Sequence, residues 1–138
     1  MFYRISSVII LALALAAVAC APKKLAPLTT RYRNAEIHFH FDSQRVDHAN
    51  EETLRAARAF LKKFPTAVIL LEGRTDAVGS PDYNLDLGDR RARSVKAWLM
   101  ANGIAAERIV TVSYGEAGVN AKVAAQKRRR VILRDAAE

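Results

Sequence analysis

Five apolar residues in a row, Ala67-Val68-Ile69-Leu70-Leu71, running on to Gly73, set the tightest limit on what this chain can become. A run of that length without polar alternation predicts a strand covered on both faces. Such a strand needs neighbours on either side. Ile37, Phe39 and Phe41 alternate with His38 and His40, which predicts a first strand whose apolar face turns to the core and which Asp42-Ser43 ends. Between the two, Leu54, Ala57, Leu61 and Phe64 recur at helical spacing. Asp47 or Asn50 can cap that helix, Glu51 and Glu52 suit its positive end, Lys62 and Lys63 its negative end, and Pro65 stops it. Residues 74–88, rich in Gly, Asp, Asn and Pro, read as a loop. A second helix is expected over 89–102, with the stripe Ala92, Val95, Leu99 and with Gly103 at the left-handed cap. Strands at 109–114 and 131–133 complete the order β-α-β-α-β-β. The fold class is therefore α+β, an α/β sandwich in which two main helices pack on a mixed four-stranded sheet.

The front of the chain follows other rules. Residues 1–7 carry one positive charge, Arg4, and eleven apolar residues follow from Val8 to Val18, then Ala19 and the only cysteine, Cys20. A positive start, an apolar centre and small residues at the end make the layout of a secretory signal. Eleven apolar residues reach across about half of a bilayer core, too little for a permanent span. Ala17-Val18-Ala19-Cys20 resembles a bacterial lipobox, where cleavage leaves the cysteine as an acylated N-terminus. Ala17 departs from the Leu usual there. Several acyl chains on one residue give a stable anchor where a single chain does not. Ala21, rather than Asp, after the cysteine favours sorting to the outer membrane. The expected organisation is 1–19 signal peptide, 20–34 lipidated cysteine and extended tether, and 35–135 folded domain. Removing the first 19 of 138 residues leaves 119 and, since only Arg4 goes with them, takes the net charge from +8 to +7. A basic exported domain favours carboxylate-rich wall peptides or acidic lipids as partners and makes nucleic acid implausible.

Chemistry concentrates in 73–92. Asp76 stands three residues past the end of the second strand. Gly88 can act as N-cap with Asp89 behind it, which places Arg91 in the first turn of the second helix. The strand's carboxyl end and the helix's amino end share one edge of the sheet, where open α/β sheets hold ligands. Asp76 and Arg91 should then reach one ligand, and an acid beside a base suits a zwitterion: ammonium on Asp76, carboxylate clamped by Arg91. A plain salt bridge between the two fits the spacing as well. Other candidates have blander readings. His38, His40 and His48 can be solvated sheet histidines rather than zinc ligands, and no metal or cofactor is expected. Thr111–Gly115 lacks the first glycine of a nucleophile elbow, and Gly73 and Gly79 precede no phosphate-loop lysine. Lys127-Arg128-Arg129-Arg130 leads into a strand, which argues for a solvated edge with structural arginines. Trp98 belongs to the core or its rim. No nucleophile or acid–base constellation is present, so no enzyme is expected.

Taken together, Phe39-x-Phe41-Asp42, Gly73-x-x-Asp76-x-x-Gly79, Tyr83-Asn84, Leu87-Gly88-Asp89-Arg90-Arg91-Ala92, Ser113-Tyr114-Gly115 and Arg129-Arg130 resemble the OmpA-like cell-wall-binding domain. Within it they are most like the peptidoglycan-associated lipoproteins. The resemblance covers residues 36–134. It implies that Asp76 and Arg91 hold the diaminopimelate of the peptidoglycan stem peptide, and that Phe41, Asp42 and Leu87 line the same pocket. It also implies a lipid-anchored bacterial outer-membrane protein facing the periplasm, with docking to envelope proteins of the Tol type as the alternative role. Ala77-Val78 stands where lipoprotein members often show Glu-Arg, Arg128 replaces an Asn, and the stretch 116–127 is short. On this reading, Asp76→Ala or Arg91→Ala should abolish wall binding and leave the domain folded.

Overall fold

The computed structural model describes residues 32, 34–118, 120 and 122–136, so the expected signal segment and Cys20 lie outside the described residues. Seven elements follow in order: β1 (Ala35–His38), α1 (Glu51–Lys63), β2 (Ile69–Arg74), α2 (Pro81–Ala101), β3 (Ile109–Gly115), α3 (Ala125–Arg128) and β4 (Arg130–Asp135). The sheet runs β1-β4-β2-β3, with β2 and β3 parallel and both other pairs antiparallel. This is the expected mixed four-stranded sheet, with one short helix added before the last strand.

Alternation along the strands decides the layers. Ile37, Ile69, Leu71, Ile109, Val131 and Leu133 point to one face, where they meet Leu54, Ala57 and Leu61 of α1 and Ala92, Val95 and Leu99 of α2. All of these are essentially out of solvent, so truncating one such as Leu71 to Ala costs about 2–5 kcal/mol. The second face of β2 is not sealed by α1 or α2 as the apolar run suggests. There Leu70 and Arg74 are half-buried and Glu72 is covered by its arginine partners. Trp98 packs at the rim of the core. Tyr32 is already engaged ahead of β1, its ring 4.9 Å from Phe60, and burial pushes its pKa up to about 12.

Three local outcomes differ from the sequence reading. β1 ends at His38, since Phe39 keeps one sheet bond to the Arg129 carbonyl and the chain then turns away. Phe39 is buried, while Phe41 is 61% exposed and faces away from the core. Asn50 caps nothing with its side chain; it donates to the His38 carbonyl at 2.9 Å and accepts from the His38 N–H at 3.1 Å, standing in for a neighbouring strand. Most consequential, α2 starts at Pro81, within the stretch expected to be loop. Ser80 is the N-cap, its hydroxyl accepting from the Tyr83 N–H at 3.2 Å, with Pro at the first helical position. Gly88 is therefore inside the helix, where glycine costs about 1 kcal/mol against alanine. Its reason is proximity: a Cβ on Gly88 would lie 2.3 Å from the Ser113 hydroxyl, and one on Gly73 1.9 Å from the Gly88 carbonyl oxygen, so strand and helix backbones touch. The other end of α2 is as expected, with Gly103 at φ +86 and the Ile104 N–H closing back on the Leu99 carbonyl.

Candidate functional site

The register His38↔Arg130↔Arg74↔Gly115 brings the end of β1, the start of β4 and the ends of β2 and β3 to one edge of the sheet. α2 begins at the same edge. Between these segments lies a cleft of about 180 Å³. Phe41 and Asp42 come from the turn after β1, and Asp76, Val78 and Gly79 from the loop after β2. Tyr83, Leu87 and Arg91 come from successive turns of α2, and Arg129 from the residue before β4. The structure thus brings the five expected residues, Phe41, Asp42, Asp76, Leu87 and Arg91, to one cavity.

Their wiring is not the expected one. Arg91 lies in the third turn of its helix, fully buried. Nε donates to the Ser43 carbonyl at 2.8 Å, Nη1 to the Arg74 carbonyl at 3.0 Å and Nη2 to the His40 carbonyl at 3.2 Å. The guanidinium also sits 5.3 Å from the Phe39 ring. Burial pulls its pKa down to about 10, against the opposing pull of Asp76, so it stays charged at neutral pH. Three of its five N–H donors are thus spent tying the turn after β1 to the end of β2. This revises the expectation that Arg91→Ala leaves the domain intact.

Asp76 forms its ion pair with Arg129, not with Arg91. Oδ2 accepts from Arg129 Nη1 at 3.1 Å, and Oδ1 accepts from the Val78 N–H at 3.3 Å. Arg129 also donates from Nε to the Phe39 carbonyl at 3.3 Å. The side chain of Asp76 is nearly buried. Two carboxylates, Asp42 and Asp76, and two guanidiniums, Arg91 and Arg129, therefore line the cleft and sum to zero charge. The rim is apolar and open, with Phe41 61%, Val78 58% and Tyr83 41% exposed. The Tyr83 hydroxyl donates to Asp42 Oδ1, and that bond raises the tyrosine pKa above its usual 10. Asp42 holds φ +52, a left-handed conformation that aspartate tolerates better than most side chains.

Arg129 and Tyr83 are the residues the sequence reading did not place here. Tyr83, Leu87 and Arg91 stand at i, i+4 and i+8, a spacing that marks one helix face only once the helix is known to start at Pro81. Arg129 belonged to a run of four cations in which nothing but the fold separates one from the next. The histidines go separate ways: His38 lies 3.4 Å from Glu36 and His40 3.0 Å from Asp47. Among the described residues no group of three or more metal-ligating side chains stands together.

Comparison with known proteins places the family and the fold. The chain is 42% identical over 89 residues to the peptidoglycan-associated lipoprotein of Pasteurella multocida, covering 64% of this chain and 58% of that one. It is 41% identical over 92 residues to the protein of the same name from Haemophilus influenzae, covering 67% and 59%. The match therefore spans under two thirds of the length of these relatives. The crystal structure of the peptidoglycan-associated lipoprotein from Burkholderia pseudomallei superposes with a TM-score of 0.67 at 31% identity, covering 72% of this chain and 88% of that one. The pattern of the OmpA family matches residues 38–131, and the chain belongs to that family.

Proposed function

We propose that this chain is a lipoprotein of the bacterial outer membrane, anchored through Cys20, whose periplasmic domain holds peptidoglycan without a covalent bond, through diaminopimelate. One observation carries the reading: Asp76 and Arg91 share a cleft whose charges sum to zero, with aromatic side chains at its mouth. Free diaminopimelate ends present an ammonium and a carboxylate, which also sum to zero. Asp76 retains acceptor capacity beyond its two partners and takes the ammonium. Arg91, with two N–H groups beyond its three main-chain bonds, takes the carboxylate together with Arg129. The role requires no bond to be made or broken, so it assigns no catalytic group and no cofactor. Each contact is modest, and many copies anchored in one membrane raise the effective concentration at the wall.

The test is co-sedimentation of the full chain with diaminopimelate-containing sacculi. Wild type should pellet at moderate salt, and Asp76→Asn should bind at least about tenfold more weakly. Equal pelleting of both, vanishing with salt, would mean that a basic surface sticks to an anionic polymer and the reading fails. The exposed Phe41, Val78 and Tyr83 favour a second reading, docking of an envelope protein of the Tol type. Crosslinks to protein in cells that persist in Asp76→Asn would favour it.

A further inference from the structure

Successive residues of the segment entering β4 point to opposite sides. Arg129 reaches the cleft, while its neighbours Arg128 and Arg130 line a separate cavity with Arg74 and Asn120. The cavity holds about 100 Å³, room for a small oxyanion. Its electrostatics are incomplete. Glu72 is divided between Arg74 at 3.3 Å and Arg134 at 3.0 Å, and Glu36 reaches Arg130 only at 3.4 Å while also facing His38. Arg128 has no ion pair among the described residues. The Nε atoms of Arg74 and Arg128 are buried without a hydrogen-bond partner, and that of Arg130 has only its long contact with Glu36. Three guanidiniums brought together against fractions of two carboxylates leave a positive excess, and the Nε donors of Arg74 and Arg128 have lost water without gaining a hydrogen bond.

We propose that Arg74, Arg128 and Arg130 form a binding pocket for a phosphate-class oxyanion, distinct from the zwitterion cleft. A doubly charged oxyanion matches the charge excess, and its oxygens suit the planar N–H forks of arginine. The amide of Asn120 adds a neutral donor, its own Oδ1 being occupied by the Lys122 N–H at 2.9 Å. The phosphate can arrive free or as the exposed monoester of a lipid headgroup.

Arginine Nε–H resonances of the full chain, titrated with inorganic phosphate against chloride at matched ionic strength, test this. Saturable shifts at Arg74, Arg128 and Arg130 are expected, at least about tenfold weaker in Arg128→Gln and unchanged in Asp76→Asn. Arg128 makes no bond that the fold uses, so the variant should fold as wild type. Vesicles of phosphatidylcholine with and without phosphatidic acid separate the sources. A response to phosphatidic acid assigns a lipid headgroup, and a response to inorganic phosphate alone assigns the free ion. Equal, unsaturated shifts with chloride would overturn the proposal, as would phosphate shifts that survive Arg128→Gln and disappear in Asp76→Asn.

Discussion

Two arginines at opposite ends of the sheet make the same kind of bond for different ends. Arg108, beside the carboxyl end of α1, donates to the carbonyls of Leu61, Phe64 and Ala67 at 2.7–2.9 Å. Arg91, at the cleft, donates to three carbonyls as well. Arg108 is half-buried and answers the negative end of a helix, a structural cap made from a distance. Arg91 is fully buried and has Asp76, Arg129 and Asp42 in its field. Each end also carries a tyrosine with a raised pKa: Tyr32 through burial against the α1 aromatics, Tyr83 through its bond to Asp42. The closed end spends its polar groups on the fold alone. Both arginines keep two N–H groups beyond these bonds; what sets the cleft apart is that Asp76, Asp42 and an open cavity stand beside Arg91.

The largest expected effect breaks the comparison at the cleft. Arg91→Ala should remove about 3–5 kcal/mol of stability, because three carbonyls lose a charged donor in a buried place, and should abolish sacculus binding. Urea unfolding and co-sedimentation read the two losses separately. Arg108→Ala should cost about 1–2 kcal/mol, since its side chain is only half-buried, and should leave binding at the wild-type level. Binding lost in Arg108→Ala under conditions where the domain stays folded would erase the distinction between the ends. The smallest effect sharpens it through pH. Both tyrosines keep their protons in the folded state at pH values where the unfolded chain has released them. The stability they contribute is complete below about pH 10 and falls as pH rises through the folded pKa values. Asp42→Asn should move the tyrosinate absorbance step of Tyr83 back toward pH 10 and leave that of Tyr32 near 12.

Much of the fold is legible in the order of residues because apolar periodicity is a local signal. Ile37, Ile69–Leu71 and Val131–Leu133 announce strands, and Leu54, Ala57 and Leu61 announce a helix, whatever the rest of the chain does. The start of α2 was illegible for a physical reason. Gly79, Ser80, Pro81 and Asn84 favour turns, while Ser-Pro-Asp also suits a helix start, and the cap hydrogen bond and the Gly73–Gly88 contact decide for the helix. The position of Asp76 at a strand end could be read directly, and so could the cleft edge. The partner of Asp76 could not, since Arg129 lies 53 residues away in a run where every member offers the same charge.

The polarity of β1 has a mechanical side. The strand begins at Ala35, opposite Leu133, and finishes at His38, opposite Arg130, beside the cleft. A domain held by its amino-terminal side and gripped at the cleft is pulled along this strand, not across it. Its ladder with β4 is then loaded in shear, all rungs sharing the tension at once, whereas a pull across the strand would unzip them singly. Four residues on an edge are a weak seam when peeled, and strand direction alone sets them to work as a cable.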